Sequence, residues 1–146
     1  MAARKTRSLQ IRHVDAGSCN GCEQELTALT SRAYDIQQFG LDIVASPRHA
    51  DVLLMTGPLT DTMLAPVTKV WEAISRPKIR IAFGDCAAGC GMFQAAYASH
   101  GGLKEADAVI LGCPPEPDAA LQILLHWIQA APNTATATPN RRIIKM

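Results

Sequence analysis

Charge is scarce in this chain. Asp, Glu, Lys and Arg make up 18% of its 146 residues, against 48% hydrophobic residues. The 14 basic and 13 acidic side chains nearly cancel, and a net charge of +1 favours neither nucleic acid nor an acidic substrate as a partner. Long apolar runs are missing as well. Stretches such as Val52–Met55 and Ala108–Leu111 fall far short of the roughly 20 residues that cross a bilayer. The opening MAARKTRSLQIRHVD is basic, but it lacks both an apolar segment behind the charges and a twin-arginine pair, so it does not read as a leader. Internal repeats are absent, and no Gly-rich phosphate-binding fingerprint follows a strand candidate, so nucleotide or flavin binding is not expected. These absences lead us to expect a cytoplasmic chain. With a mean hydropathy of +0.05, it has few charges to coat a free surface, and partner subunits are expected to cover part of it.

What is present is alternation. Short apolar stretches at Leu9–Val14, Asp42–Ala45, Val52–Thr56, Ile79–Phe83 and Ala108–Leu111 read as strands, several of them apolar on both faces. Between them, Cys22–Ala33, Thr62–Ile74 and Pro117–Ile128 have helical periodicity. In the second of these, Met63, Leu64, Val67, Val70, Trp71 and Ile74 share one stripe, and Pro66 is tolerated near the first turn. The pattern predicts an α/β domain with a mostly parallel sheet over residues 9–131. A basic arm (1–8) and a flexible tail rich in Thr, Ala, Pro and Asn (132–146) flank it.

Against that map stand five cysteines. In a reducing compartment they point to metal or catalysis before disulfides. Cys19 and Cys22 follow the first strand candidate, Cys86 follows the fourth after Gly84 and Asp85, and Cys113 follows the fifth after Gly112. In an open parallel sheet, ligands collect outside the carboxyl ends of the strands, so these four cysteines are expected on one rim. CNGC at 19–22 is a C-x2-C element and Cys113 precedes a proline, both recurrent among thiolates that hold iron–sulfur clusters. Gly17 and Gly21 would let backbone amides approach the sulfides. Zinc is the first alternative, but its ribbons usually pair two close C-x2-C knuckles, and here the second pair is split between two strand ends. A CNGC dithiol at a helix start is the second, and it leaves Cys86 and Cys113 idle. Four small buried hydrophobes are the third, and they leave the glycine turns unexplained.

Four ordered blocks carry a resemblance: GSCNGCEQE at 17–25, SPRHADVLLMTGPLT at 46–60, GDCA at 84–87 and GCPPEPDAAL at 112–121. From Leu9 to about Ile128 the chain resembles the small iron–sulfur subunit of energy-converting membrane-bound [NiFe] hydrogenases and formate hydrogenlyase-type complexes. That group lies within the 20 kDa subunit family of NADH:quinone oxidoreductase. The resemblance implies a flavodoxin-like three-layer fold with one [4Fe-4S] cluster at the carboxyl ends of the strands, bound by Cys19, Cys22, Cys86 and Cys113. It implies a one-electron relay between a hydrogenase-type large subunit and a ferredoxin-like iron–sulfur subunit. The chain is then a subunit of a multi-subunit oxidoreductase without holding the bond-breaking site, attached to the inner face of the cell membrane through its partners. The quinone-reductase branch has adjacent cysteines where this chain has CNGC, which favours the hydrogenase branch; a complex I-like quinone module is the alternative. The chain departs from the family at Cys90, where relatives have glycine, and at Glu116, where they have arginine. The stretch from Gly102 to Gly112 is also shorter. Cys90 is accordingly read as a spare thiol.

By the same resemblance Glu25 matches an acidic position common to both branches and is a candidate proton relay or large-subunit contact. Glu23 reads as a first-turn charge complementing the helix dipole, and Asp85 as a turn cap. Arg48 and His49 belong to a block that, by resemblance, faces the large subunit or a quinone cavity; a solvated loop is the plain alternative. His13, His100 and His126 read as structural or exposed, and Trp71 and Trp127 as packing residues.

Overall fold

Short Val/Ile/Leu-rich runs bury both faces most readily as central parallel strands with helices on either side. In the computed structural model of the chain, which describes residues 8–130, they form β1 (Leu9–Asp15), β2 (Leu41–Ile43), β3 (Val52–Thr56), β4 (Ile79–Phe83) and β5 (Ala108–Ile110). Every neighbouring pair is parallel and the order is β2-β1-β3-β4-β5. This is the flavodoxin-like order, with its switch point where β1 adjoins β3. Ile11 lies opposite Val52, Val52 opposite Ile79 and Ile81 opposite Ala108, which aligns the apolar positions of four strands. The arm and tail expected at 1–8 and 132–146 lie outside the described residues, Ser8 apart.

The helices are α1 (Gly21–Leu29), α2 (Asp61–Ala73), the single turn α3 (Asp85–Ala88) and α4 (Pro117–Ala130), with 3-10 turns at Ile36–Phe39 and Pro47–His49. On one face of the sheet α1 and α4 pack Leu26, Leu29, Ala120, Ile123 and Leu124 against Ile11, Leu54, Ile81, Phe83 and Ile110. On the other face Val67 of α2 and Ile74, just after that helix, pack with Leu53, Met55 and Ala82. The result is three layers around β3, whose five residues are all buried. Each large side chain buried in this way stabilises the fold by about 1.5–3 kcal/mol. Among the described residues no helix is long and apolar enough to cross a membrane.

Three local readings shift. The first helix stops at Leu29, four residues before the periodicity suggested. Thr30 both donates its amide to the Thr27 carbonyl at 3.1 Å and turns its hydroxyl back to it at 2.8 Å, and this tight closure ends the helix. β2 starts one residue early and is short. In α2, Leu64 is 42% exposed and leaves the predicted stripe. Trp71 packs beneath two cations, Lys78 Nζ at 4.3 Å and the Arg80 guanidinium at 4.5 Å from its ring centre.

Candidate metal centre

The carboxyl ends of β1, β3, β4 and β5 open onto one rim, and local chemistry shapes each turn there. Asp15 ends β1, and its carboxylate accepts the amides of Gly17 at 2.9 Å and Ser18 at 2.7 Å, bending the chain towards Cys19. Burial alone would raise the Asp15 pKa, but these amides and the Ser18 hydroxyl outweigh it and hold the carboxyl below its ordinary value. The Gly17 amide itself is therefore held by Asp15. The turn after β3 is pressed against this one. Gly57 has φ +84°, and a Cβ there would sit 2.7 Å from the Ser18 amide nitrogen. Gly84, after β4, lets the turn pass over Cys22, because a Cβ on it would lie 2.6 Å from the Cys22 Sγ. Asp85 then joins the fourth and fifth strand ends: its amide donates to the Gly112 carbonyl at 2.9 Å, and its carboxylate accepts the Gly112 amide at 2.8 Å. The expected turn cap is a clamp between turns.

Cys22 and Cys86 are half-buried, and Cys19, Cys90 and Cys113 are exposed. Cys22 and Cys86 each lie in the electrostatic field of Cys19 and Cys113, and Cys22 in that of Cys86 as well. Burial first, then Glu23 and the other three cysteines, push the Cys22 thiol up to about 12. Burial first, then Cys113, Cys19 and Asp85, also raise Cys86, while the Phe93 amide favours its thiolate. Cys90 is not among the charges acting on either. α3 ends at Gly89 in a left-handed conformation, and the Cys90 thiol turns back to the Asp85 carbonyl at 3.6 Å.

Among the described residues no three His, Cys, Asp or Glu side chains are drawn together tightly enough for a single metal ion. A zinc ion needs its sulfurs at about 2.3 Å from one centre. A cubane cluster places its four thiolates on separate corner irons and so spreads them. Four thiols spread over a glycine-lined rim, two half-buried and two exposed, fit a cluster better than an ion. Burial first, and neighbouring acidic groups after it, disfavour the Cys22 and Cys86 thiolates in the metal-free chain; a cluster's iron would supply the cationic centre they lack.

Beside this rim lies a hydrogen-bonded chain that sequence reasoning did not find. The Thr56 hydroxyl, at the buried end of β3, donates to Glu23 Oε1. A hydroxyl has one proton, so Thr56 accepts from His13 Nε2–H at 2.9 Å, which fixes the histidine tautomer. Glu23 Oε2 is buried without a partner. The available signal was strand alternation, which puts His13 on the same face of β1 as Leu9 and Ile11, under α1. Glu25 is half-buried and makes no hydrogen bond or ion pair among the described residues. Arg48 and His49 lie on a 3-10 turn ahead of β3, at the opposite end of that strand from the rim. His100 pairs with Asp61 at 2.5 Å, and His126 is exposed on α4.

Residues 19–127, beginning at the first cysteine of the rim, match the family described as NADH ubiquinone oxidoreductase, 20 Kd subunit. The chain belongs to that family. Members of the 20 kDa subunit family to which it is similar include formate hydrogenlyase subunit 7 of Escherichia coli (strain K12), 43% identical over 118 residues. The aligned region covers 79% of this chain and 46% of the relative, so the chain spans about half of that protein. The probable membrane-bound hydrogenase subunit mbhJ of Pyrococcus furiosus is also 43% identical, over 79% of this chain and 71% of its own. Among solved structures, a chain of the membrane-bound sulfane sulfur reductase, an archaeal respiratory membrane complex, superposes with a TM-score of 0.72 at 30% identity, covering 86% of this chain and 73% of that one.

Proposed function

We propose that this chain is an electron-transfer subunit carrying one [4Fe-4S] cluster on Cys19, Cys22, Cys86 and Cys113. The observation that carries the reading is the placement of four cysteines on turns at the carboxyl ends of β1, β4 and β5, with Gly84 seated over the Cys22 thiol and the Asp85–Gly112 pair tying the Cys86 turn to the Cys113 turn. A bound cluster supplies reversible one-electron chemistry, tuned by net charge, hydrogen bonds to sulfur and solvent exposure. The chain's own part is to hold the thiolates and to present the rim. Asp15 and Asp85 fix the two turns that flank it, and Gly84 leaves the space that Cys22 occupies. Its partners are a hydrogenase-type large subunit and a ferredoxin-like iron–sulfur subunit, within a complex bound to the inner face of the membrane.

Two observations support a covered rim. Met92, Phe93 and Tyr97 stand exposed on the segment that follows Cys86. A pocket of about 270 Å³ opens between that segment and the Cys19 turn, lined by Gly17, Ser18, Cys19, Pro58, Thr60 and Phe93 among others. Apolar side chains grouped beside a redox rim suit a partner that excludes water from it. The similarity to two hydrogenase-type relatives supports the hydrogenase branch over the quinone-linked one. Anaerobic purification should yield about four irons and four sulfides per chain. Stoichiometric zinc without sulfide would falsify the reading. The cysteine content of the large subunit separates the branches, since a nickel–iron site needs cysteine pairs that a quinone module lacks.

A further inference from the structure

A glutamate in the first turn of a helix is commonly a solvated charge answering the helix dipole. Glu23 is in that turn, yet its side chain is only 16% exposed. Oε1 is tied by the Thr56 hydroxyl, and Oε2 is buried with no donor at all. No lysine or arginine pairs with it among the described residues. The nearest cationic candidate is His13, whose Nε2 is 3.7 Å from Oε1. Burial, the largest influence on His13, holds its pKa below the usual 6.5 in spite of the Glu23 and Asp15 charges, so near pH 7 the ring is neutral. A carboxylate is therefore fixed next to Cys22 with nothing to cancel it. In a buried setting such a charge acts with far less screening than on the surface.

Resting on the electron-transfer reading above, we infer that Glu23, held by Thr56 and His13, is a positioning residue whose fixed negative charge keeps the reduction potential of the rim's cluster low. Adding an electron increases the negative charge that this carboxylate opposes, and net charge is one of the levers on cluster potential. Thr56, which ties Glu23 Oε1, is the last residue of β3 and so lies at the carboxyl-end rim itself. Glu25 lies two residues beyond Glu23, where a helix turns a side chain to a different face. Its charge is not locked against the rim by any hydrogen bond among the described residues. The two glutamates are thus predicted to differ in their effect on the cluster.

The test is an EPR-monitored redox titration of the cluster-loaded full chain or its intact complex, comparing wild type, Glu23→Gln, Glu23→Asp and Glu25→Gln. Glu23→Gln should load the cluster and move its midpoint to a more positive potential. Glu23→Asp should stay near wild type, and Glu25→Gln should move it less than Glu23→Gln does. An unmoved midpoint in loaded Glu23→Gln, or an equal shift in Glu25→Gln, overturns the inference while leaving the electron-transfer reading intact. If Glu23→Gln loads poorly, Thr56→Ser and Thr56→Val decide the matter. Serine keeps the hydroxyl and the wild-type midpoint, whereas valine frees the carboxylate to reach solvent and raises it. Equal midpoints for the two overturn the inference. Iron and sulfide are assayed on the same samples, and a wild-type chain with neither overturns this inference together with the reading beneath it.

Discussion

Asp85 and Gly112 hold each other twice, backbone to backbone at 2.9 Å and carboxylate to amide at 2.8 Å, across 27 positions of sequence. One residue beyond each stands a cysteine of the rim. The spacing of Cys86 from Cys113 thus depends on a side chain that has no metal to bind. Asp85→Ala leaves the Gly112 amide unpaired at a cost of about 1–3 kcal/mol, and lets the two turns move apart. We expect Asp85→Ala to lose most of its iron and sulfide while its far-UV circular dichroism stays native. Asp85→Asn keeps an acceptor oxygen and should retain both. Full cluster content in Asp85→Ala would show that the clamp is dispensable.

Cys86 and Cys90 share one short loop and are predicted to behave oppositely. Cys86 interacts with the other three rim thiols, whereas Cys90 follows the left-handed Gly89 and bonds back to the Asp85 carbonyl. Cys86→Ala should abolish the [4Fe-4S] signal, and Cys90→Ala should leave it nearly intact. Loss of signal in Cys90→Ala alone would reverse the assignment.

The strands were readable because β3 and β5 are short apolar runs while β1 and β4 alternate apolar with polar residues. A glycine lies within two residues of the carboxyl end of each, and such patterns survive without knowledge of neighbours. With parallel strands alternating with helices, the turns that carry Cys19, Cys86 and Cys113 fall at one edge by topology alone. What surrounds those cysteines was not readable. Asp85 looked like a local cap and Glu23 like a dipole charge, because their partners Gly112 and Thr56 are 27 and 33 positions away. Nor does the spacing of Asp15 and Gly17 reveal that the Asp15 carboxylate takes the Gly17 amide. Pairings of this kind depend on which turns the sheet brings together, and periodicity holds no record of them. The early end of α1 has a similar origin, as Thr30 competes for the Thr27 carbonyl only once the helix exists.

His13 makes the metal-free chain sensitive to acid. Burial, more than any other influence, lowers its folded-state pKa below 6.5, the value it regains on unfolding. Between those two values the unfolded chain binds more protons than the fold, so stability rises with pH through that window and falls on acidification. Melting temperature should therefore drop as pH is lowered from about 7 to about 5. His13→Gln has no ring to protonate and should show a shallower drop over the same range. Parallel curves for the two proteins would remove His13 as the cause.

Gly84 is the position where backbone and site constrain each other most directly. Its φ of 92° and ψ of 163° fall in a region open essentially to glycine alone, where another residue costs of order 1–3 kcal/mol. A Cβ there would also lie 2.6 Å from the Cys22 Sγ, so the thiol that faces the rim would have to move. Gly101 separates these two effects. It has φ +74° but no atom within 4 Å of the place a Cβ would take, so Gly101→Ala bears backbone strain and no collision. We expect Gly101→Ala to lower the melting temperature while binding iron and sulfide at wild-type levels. Gly84→Ala should lower both the melting temperature and the cluster content, because strain and collision act at one residue. If Gly84→Ala bound the cluster as well as Gly101→Ala does, Cys22 would have room that the structure does not give it, and its place on the rim would have to be reassigned.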